Sequence, residues 1–126
     1  MSRPTHLVTL DPDGTPQVSI VWIGLDGEDI VSGHLFAVKK IRNAKADHRV
    51  AISLETGGRN EMGLDTFLVV HGTARIQEGG APELLQRLAE VYLGPGVRFP
   101  PMDGPPPGFV LRTTPMRVLG VGPWED

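Results

Sequence analysis

A closed antiparallel β-barrel carrying two short helices is the fold this chain predicts, on three observations. Short apolar runs bounded by Gly, Pro, Asn and Asp succeed one another through the first half, at the length of strands. Only two stretches, residues 36–47 and 81–94, replace that rhythm with helical spacing. The 126 residues are enough for one real core and too few for two, so a single domain spans 1–126.

The elements follow in order. Residues 6–10 form a first apolar run and lead into "DPDGTP", with Pro and Gly at turn positions. "QVSIVWIGL" (17–25) and "EDIVSGHL" (28–35) then flank Asp26-Gly27, whose tolerance of positive φ suits a tight hairpin. Alternation along 17–23 puts Val18, Ile20 and Trp22 on one face and Gln17, Ser19, Val21 and Ile23 on the other. One face can fill the barrel while the other offers a mostly apolar wall to a flat ring. Trp22 is assigned to the core, because a Trp carries a large burial payload.

From 36 to 47 the pattern turns helical, with Phe36, Lys40, Asn43 and Asp47 on one side and Ala37, Ile41 and Ala44 on another. "RVAISLE" reads as the next strand, "TGGRNEMG" as a loop, and "DTFLVVHGTARIQ" as a long strand bulged at Gly72. "APELLQRLAEVYLG" carries Leu84, Leu85, Leu88, Val91 and Tyr92 in an amphipathic stripe, with Pro82 in the first turn. Residues 94–108 are too rich in Pro and Gly for regular structure and read as a lid, an interface arm or a plain connector. "FVLRTTPMRVLGVG" closes the chain as a strand or a bent pair. The tally is six strands and two helices.

Composition narrows the function. Hydrophobic residues make up 40% and charged residues 21%, the profile of a folded globular protein. A net charge of −3 and pI near 5.8 supply no basic face for phosphate backbones, so nucleic acid is not an expected partner. With no cysteine there is neither a disulfide framework nor a thiolate site. The opening "MSRPTHLVTL" lacks an apolar leader and no run reaches membrane-spanning length, so a cytoplasmic protein without a membrane partner is expected.

Several chemistries are absent. There is no GxxxxGK[ST] and no GxGxxG after a strand. His6, His34, His48 and His71 are scattered without metal-ligand spacing, and read as surface or capping histidines. Ser32 and His71 lack the GxSxG elbow of a hydrolase. What stands out is "KKIRNAK", where Lys39, Lys40, Arg42 and Lys45 fall within seven residues of an acidic chain. Ammonium and guanidinium heads beside the free amides of a first helical turn would make an anion pocket. A solvated helix face is the alternative reading.

Four stretches in register, "DPDGTPQVSIVWIGLDGEDIVSG", "KKIRNAKADHRVAISLE", "FLVVHGTARI" and "RVLGVGPW", resemble the pyridoxamine 5′-phosphate oxidase-like split β-barrel superfamily. Within it they are most similar to the flavin/deazaflavin-dependent oxidoreductase branch common in actinobacteria. The resemblance implies a six-stranded FMN-binding split barrel working as a homodimer, with two cofactor sites between protomers. It implies that Lys39 and Lys40 hold the cofactor phosphate, followed on the helix by Arg42 and Asn43. Ser32 and Gly33 would lie by the ribityl chain, and Ser19, Ile20, Val21 and Trp22 along the tricyclic ring. True pyridoxamine phosphate oxidases carry an Arg and a Lys on that strand. Here residues 17–25 hold no positive charge, which points away from pyridoxamine phosphate as substrate.

The resemblance implies coenzyme F-420, with FMN as the alternative, since both share ring, ribityl chain and first phosphate. Arg42, Lys45 and Arg59 could meet the acidic tail of F-420. The implied activity is hydride transfer from reduced deazaflavin to a conjugated, electron-poor small molecule of enone, quinone or tetrapyrrole type. An FMN oxidoreductase and a non-catalytic cofactor or tetrapyrrole carrier are the competing readings. No residue is assigned as proton donor.

Overall fold

The computed structural model describes residues 5–122. Seven strands and two helices follow in the order β1 (Thr5–Leu10), β2 (Pro16–Val21), β3 (Gly24–Asp26), β4 (Asp29–His34), α1 (Lys39–Ala46), β5 (Arg49–Arg59), β6 (Asp65–Glu78), α2 (Ala81–Tyr92) and β7 (Phe109–Val121). All strands join one antiparallel sheet, ordered β2-β1-β5-β6-β7-β4-β3.

Mainly β architecture with two helices matches the expectation, but the barrel is not closed and has seven strands instead of six. Both corrections have one cause. The run 17–25 breaks at Trp22-Ile23, so its two halves become the opposite edges of the sheet, β2 and β3. At the break the Ile23 amide donates to the Tyr92 hydroxyl (3.2 Å), and that hydroxyl donates to the Ile23 carbonyl (3.4 Å). Side-chain bonds from α2 thus replace ladder bonds, and the sheet curls into a barrel split along this seam.

The hairpin sits one residue later than expected. Asp26 pairs with Asp29, leaving Gly27 and Glu28 as the turn, with Gly27 at φ 62°. Positive φ falls to the glycine because it has no Cβ to clash. Helix α1 starts at Lys39, three residues later than its pattern suggested, because Val38, which has no capping side chain, is its N-cap. The loop expected at "TGGRNEMG" is shorter, since β5 continues to Arg59 and Asn60 Oδ1 accepts the Met62 and Leu64 amides across the turn. The Gly72 bulge is present. A Cβ there would lie 2.6 Å from Thr113 Cγ2 and 2.7 Å from the Thr114 carbonyl.

The core forms inside the curl. Leu7, Ile52, Leu54, Val70 and Leu111 point inward from successive strands, and α1 adds Ile41 and Ala44, both fully buried. Each large apolar side chain so buried contributes roughly 1.5–3 kcal/mol. Helix α2 lies over β4 through Ala81, Leu85, Leu88 and Ala89. It sits close because Gly33 is bare there: a Cβ would come 3.1 Å from Leu85 Cγ and 3.3 Å from the Ala81 carbonyl.

Candidate functional site

Where the seam opens, a cavity of about 390 Å³ forms between the ends of β2 and β4, the start of α1 and one face of α2. Each wall follows from the pleat or the helical repeat. Strand β2 keeps Val21 in the core and leaves Ile20 and Val18 exposed, at 66% and 58%. Trp22 is half-buried on the cavity wall, not in the core as expected, because the chain leaves the sheet at this residue. Its ring stacks on Tyr92 at 5.4 Å and 15°, and meets Phe99 at 5.0 Å and 57°. These arrangements suit aromatic quadrupoles.

Phe99 comes from the 94–108 loop, which is pinned to α2. Gln86 donates to the Val97 carbonyl (2.6 Å) and accepts the Phe99 amide (2.8 Å), while the Ala81 amide donates to the Pro107 carbonyl (3.0 Å). The loop is therefore a wall of the cavity.

The polar end combines Lys40 with His34. Lys40 is half-buried, and burial lowers its ammonium below the ordinary lysine range. It makes no ion pair with any described residue. His34 is pushed down to about 4, first by burial and then by the neighbouring Lys40 charge. Its imidazole is neutral near pH 7, with Nε2 2.8 Å from the buried Ser32 Oγ. The Lys39 and Lys40 amides precede the first helical bond, which runs from the Ile41 amide to the Val38 carbonyl, and meet no backbone acceptor among the described residues.

Of the residues proposed from sequence, Ile20, Val21, Trp22, Gly33 and Lys40 gather around this cavity. The others lie elsewhere. Ser19 turns inward, with its buried Oγ unpartnered among the described residues. Ser32 sits behind His34. Lys39 faces Asp11 at 3.1 Å, Arg42 donates to the Ala37 carbonyl at 2.6 Å, and Asn43 is buried between Thr9 (3.2 Å) and Asp11 (2.8 Å). Lys45 lies 5.0 Å over the Phe109 ring, and Arg59 pairs with Asp65 at 3.2 Å on the far hairpin. His34, Leu85, Tyr92 and Phe99 line the cavity without having been assigned to the site. Strand alternation from Ser32 could have found His34. Nothing local marks Tyr92 and Phe99, which arrive from distant sequence.

The family model described as pyridoxamine 5′-phosphate oxidase matches residues 2–122. The chain belongs to this family. Among solved structures, an F420 reductase is 28% identical, superposes with a TM-score of 0.75, and is matched over 94% of this chain and 90% of its own. A conserved hypothetical protein of Mycobacterium tuberculosis is 25% identical with a TM-score of 0.71, covering 94% of this chain and 76% of that one. HupZ of Group A Streptococcus, at 17% identity, TM-score 0.65 and coverage of 98% and 89%, shares the fold. None of the curated proteins matches the chain by sequence. The superfamily resemblance drawn from the four stretches therefore holds. No helix among the described residues is long and apolar enough to cross a membrane.

Proposed function

We propose that this family member is a deazaflavin-dependent reductase that binds coenzyme F-420 in the seam cavity. The observation that carries the reading is one juxtaposition: an apolar and aromatic wall from Ile20 and Trp22, and a half-buried, unpaired ammonium at Lys40. The similarity to an F420 reductase at 28% identity favours the deazaflavin among the ring cofactors that such a site fits.

The fit is chemical. Lys40 bears a desolvation cost that an arriving phosphate oxyanion offsets, and the free Lys39 and Lys40 amides offer donors to the same anion. Ile20 and Trp22 give a planar ring an apolar surface, and Val21 and Gly33 border it without adding charge. Phe99, held by Gln86, keeps water from that wall. His34 remains a neutral hydrogen-bonding group, so Lys40 stays the single lining cation. The chemistry the bound group supplies is hydride transfer to an electron-poor double bond, such as that of an enone, quinone or tetrapyrrole bridge.

The reading includes a cytoplasmic homodimer with a site near each seam. Support for the dimer comes from Val18 and Ile20, whose exposed apolar side chains on the edge strand β2 gain from cover by a second copy. FMN is the second reading, favoured by the family match and by the ring and phosphate it shares with F-420.

Titration of the purified protein with F-420 and, separately, with FMN, followed by ring fluorescence, tests the proposal. Tight F-420 binding that weakens in Lys40→Ala is expected. Preferential FMN binding moves the protein to the FMN reading, and binding of neither overturns both.

A further inference from the structure

On the other side of α2 lies a second cavity of about 330 Å³ that shares no lining residue with the first. Its floor is core: Ile23 and Leu88 are 6% and 3% exposed. Its jaws are Leu25 on the edge strand β3 and Val91 on α2, exposed at 68% and 50%. Scattered exposed leucines are ordinary, but apolar side chains converging on a cavity are not. Gly24 leaves the room, since a Cβ there would stand 2.8 Å from Leu88 Cδ2. The volume lies at the low end of the range of small-molecule sites.

One lining residue is charged. Arg87 reaches over Gly24, with Nη2 3.4 Å from where that Cβ would be, and makes no hydrogen bond or ion pair with any described residue. Arg87 is exposed, and among the described residues no nearby carboxylate pairs with it: Asp26 is taken by Arg112 at 2.6 Å, while Glu83 and Glu90, about one helical turn before and after it on α2, make no ion pair with it. A guanidinium left unpaired at the mouth of an apolar slot is complementary to a carboxylate on an apolar body, because its planar fork binds the two oxygens together. We propose that the slot between β3 and α2 binds small organic carboxylates of medium chain length, with the chain against Ile23, Leu25, Leu88 and Val91 and the carboxylate on Arg87.

The test is calorimetric titration of the full chain with octanoate, and with octan-1-ol and octylamine as neutral and cationic counterparts. Saturable octanoate binding at least tenfold tighter than either counterpart is expected. It should fall at least tenfold in Arg87→Gln, fall less in Arg87→Lys, weaken in Val91→Gln, and persist in Lys40→Ala. Circular dichroism establishes that each variant folds. Octanol binding as well as octanoate, an unchanged Arg87→Gln, loss in Lys40→Ala, or no saturable binding would each overturn the assignment. Because Lys40 serves only the seam cavity, failure here and failure of the reductase reading are separable.

Discussion

Replacing His34 by Gln should flatten the pH dependence of folding stability between pH 6.5 and 4. In the folded chain the imidazole is pushed to about 4 by burial and by Lys40, against 6.5 when free. Between those values the unfolded chain holds a proton that the folded chain does not, so stability falls as pH falls. The full difference, at 1.36 kcal/mol per unit, is about 3 kcal/mol lost by pH 4, with about 1 kcal/mol gone at pH 5.5. Depressed carboxylates act lower on the scale. Asp47, held at about 2 by hydrogen bonds from Arg49, and Asp29, lowered chiefly by Arg75, stabilise the fold above 3.8 and lose that effect as pH falls further. Urea unfolding followed by circular dichroism at pH 7.5, 5.5 and 4.5 measures the effect. The stability difference between wild type and His34→Gln should shift against the wild type by about 2–3 kcal/mol from pH 7.5 to 4.5. A difference constant across that range would show that the cavity does not desolvate His34. The charge of a phosphate-bearing ligand at Lys40 should offset only the Lys40 share of the push on the imidazole, the larger share from burial remaining.

Three further outcomes follow from the geometry. Lys40→Ala should weaken F-420 binding roughly 10- to 100-fold, as expected for a charge-assisted contact, whereas Lys39→Ala should cost about threefold or less, since its ammonium already faces Asp11; equal losses would refute the distinction. Tyr92→Phe should lower stability by about 1–3 kcal/mol in urea unfolding, because both polar groups of Ile23 lose their partner at the seam. Gly72→Ala should cost about 1–3 kcal/mol, as the new Cβ meets the Thr114 backbone, which cannot rotate away; a neutral substitution would show that the bulge relaxes.

The parts of the fold legible in the sequence are those with local causes. Alternation placed Val18 and Ile20 opposite Ser19 and Val21, and the stripe of Leu85 and Leu88 marked α2. The seam was not legible, because the 17–25 run is uninterrupted and its break is made by a hydroxyl at Tyr92. The same distance in sequence hid half of the cavity. Trp22 reads as core until Tyr92 and Phe99 are brought to its ring, and Lys39 and Lys40 read alike until Asp11 takes one of them.

The basic cluster in an acidic chain resolves into four different fates. Lys39 turns to Asp11, Arg42 folds back on the Ala37 carbonyl, and Lys45 spreads over Phe109. Each of these cations has a partner within the chain, where an exposed ion pair contributes at most about 1 kcal/mol. Lys40 alone among them lines the seam cavity, half-buried beside a histidine that burial keeps neutral. A merely solvated helix face would leave Lys40 in water at its ordinary pKa. Its partial burial instead lowers its pKa, a penalty that the proposed anionic ligand would offset. The cluster is therefore three cations with partners inside the chain and one, Lys40, that lines the seam cavity without an ion pair to any described residue, which is the feature the proposed cofactor site rests on.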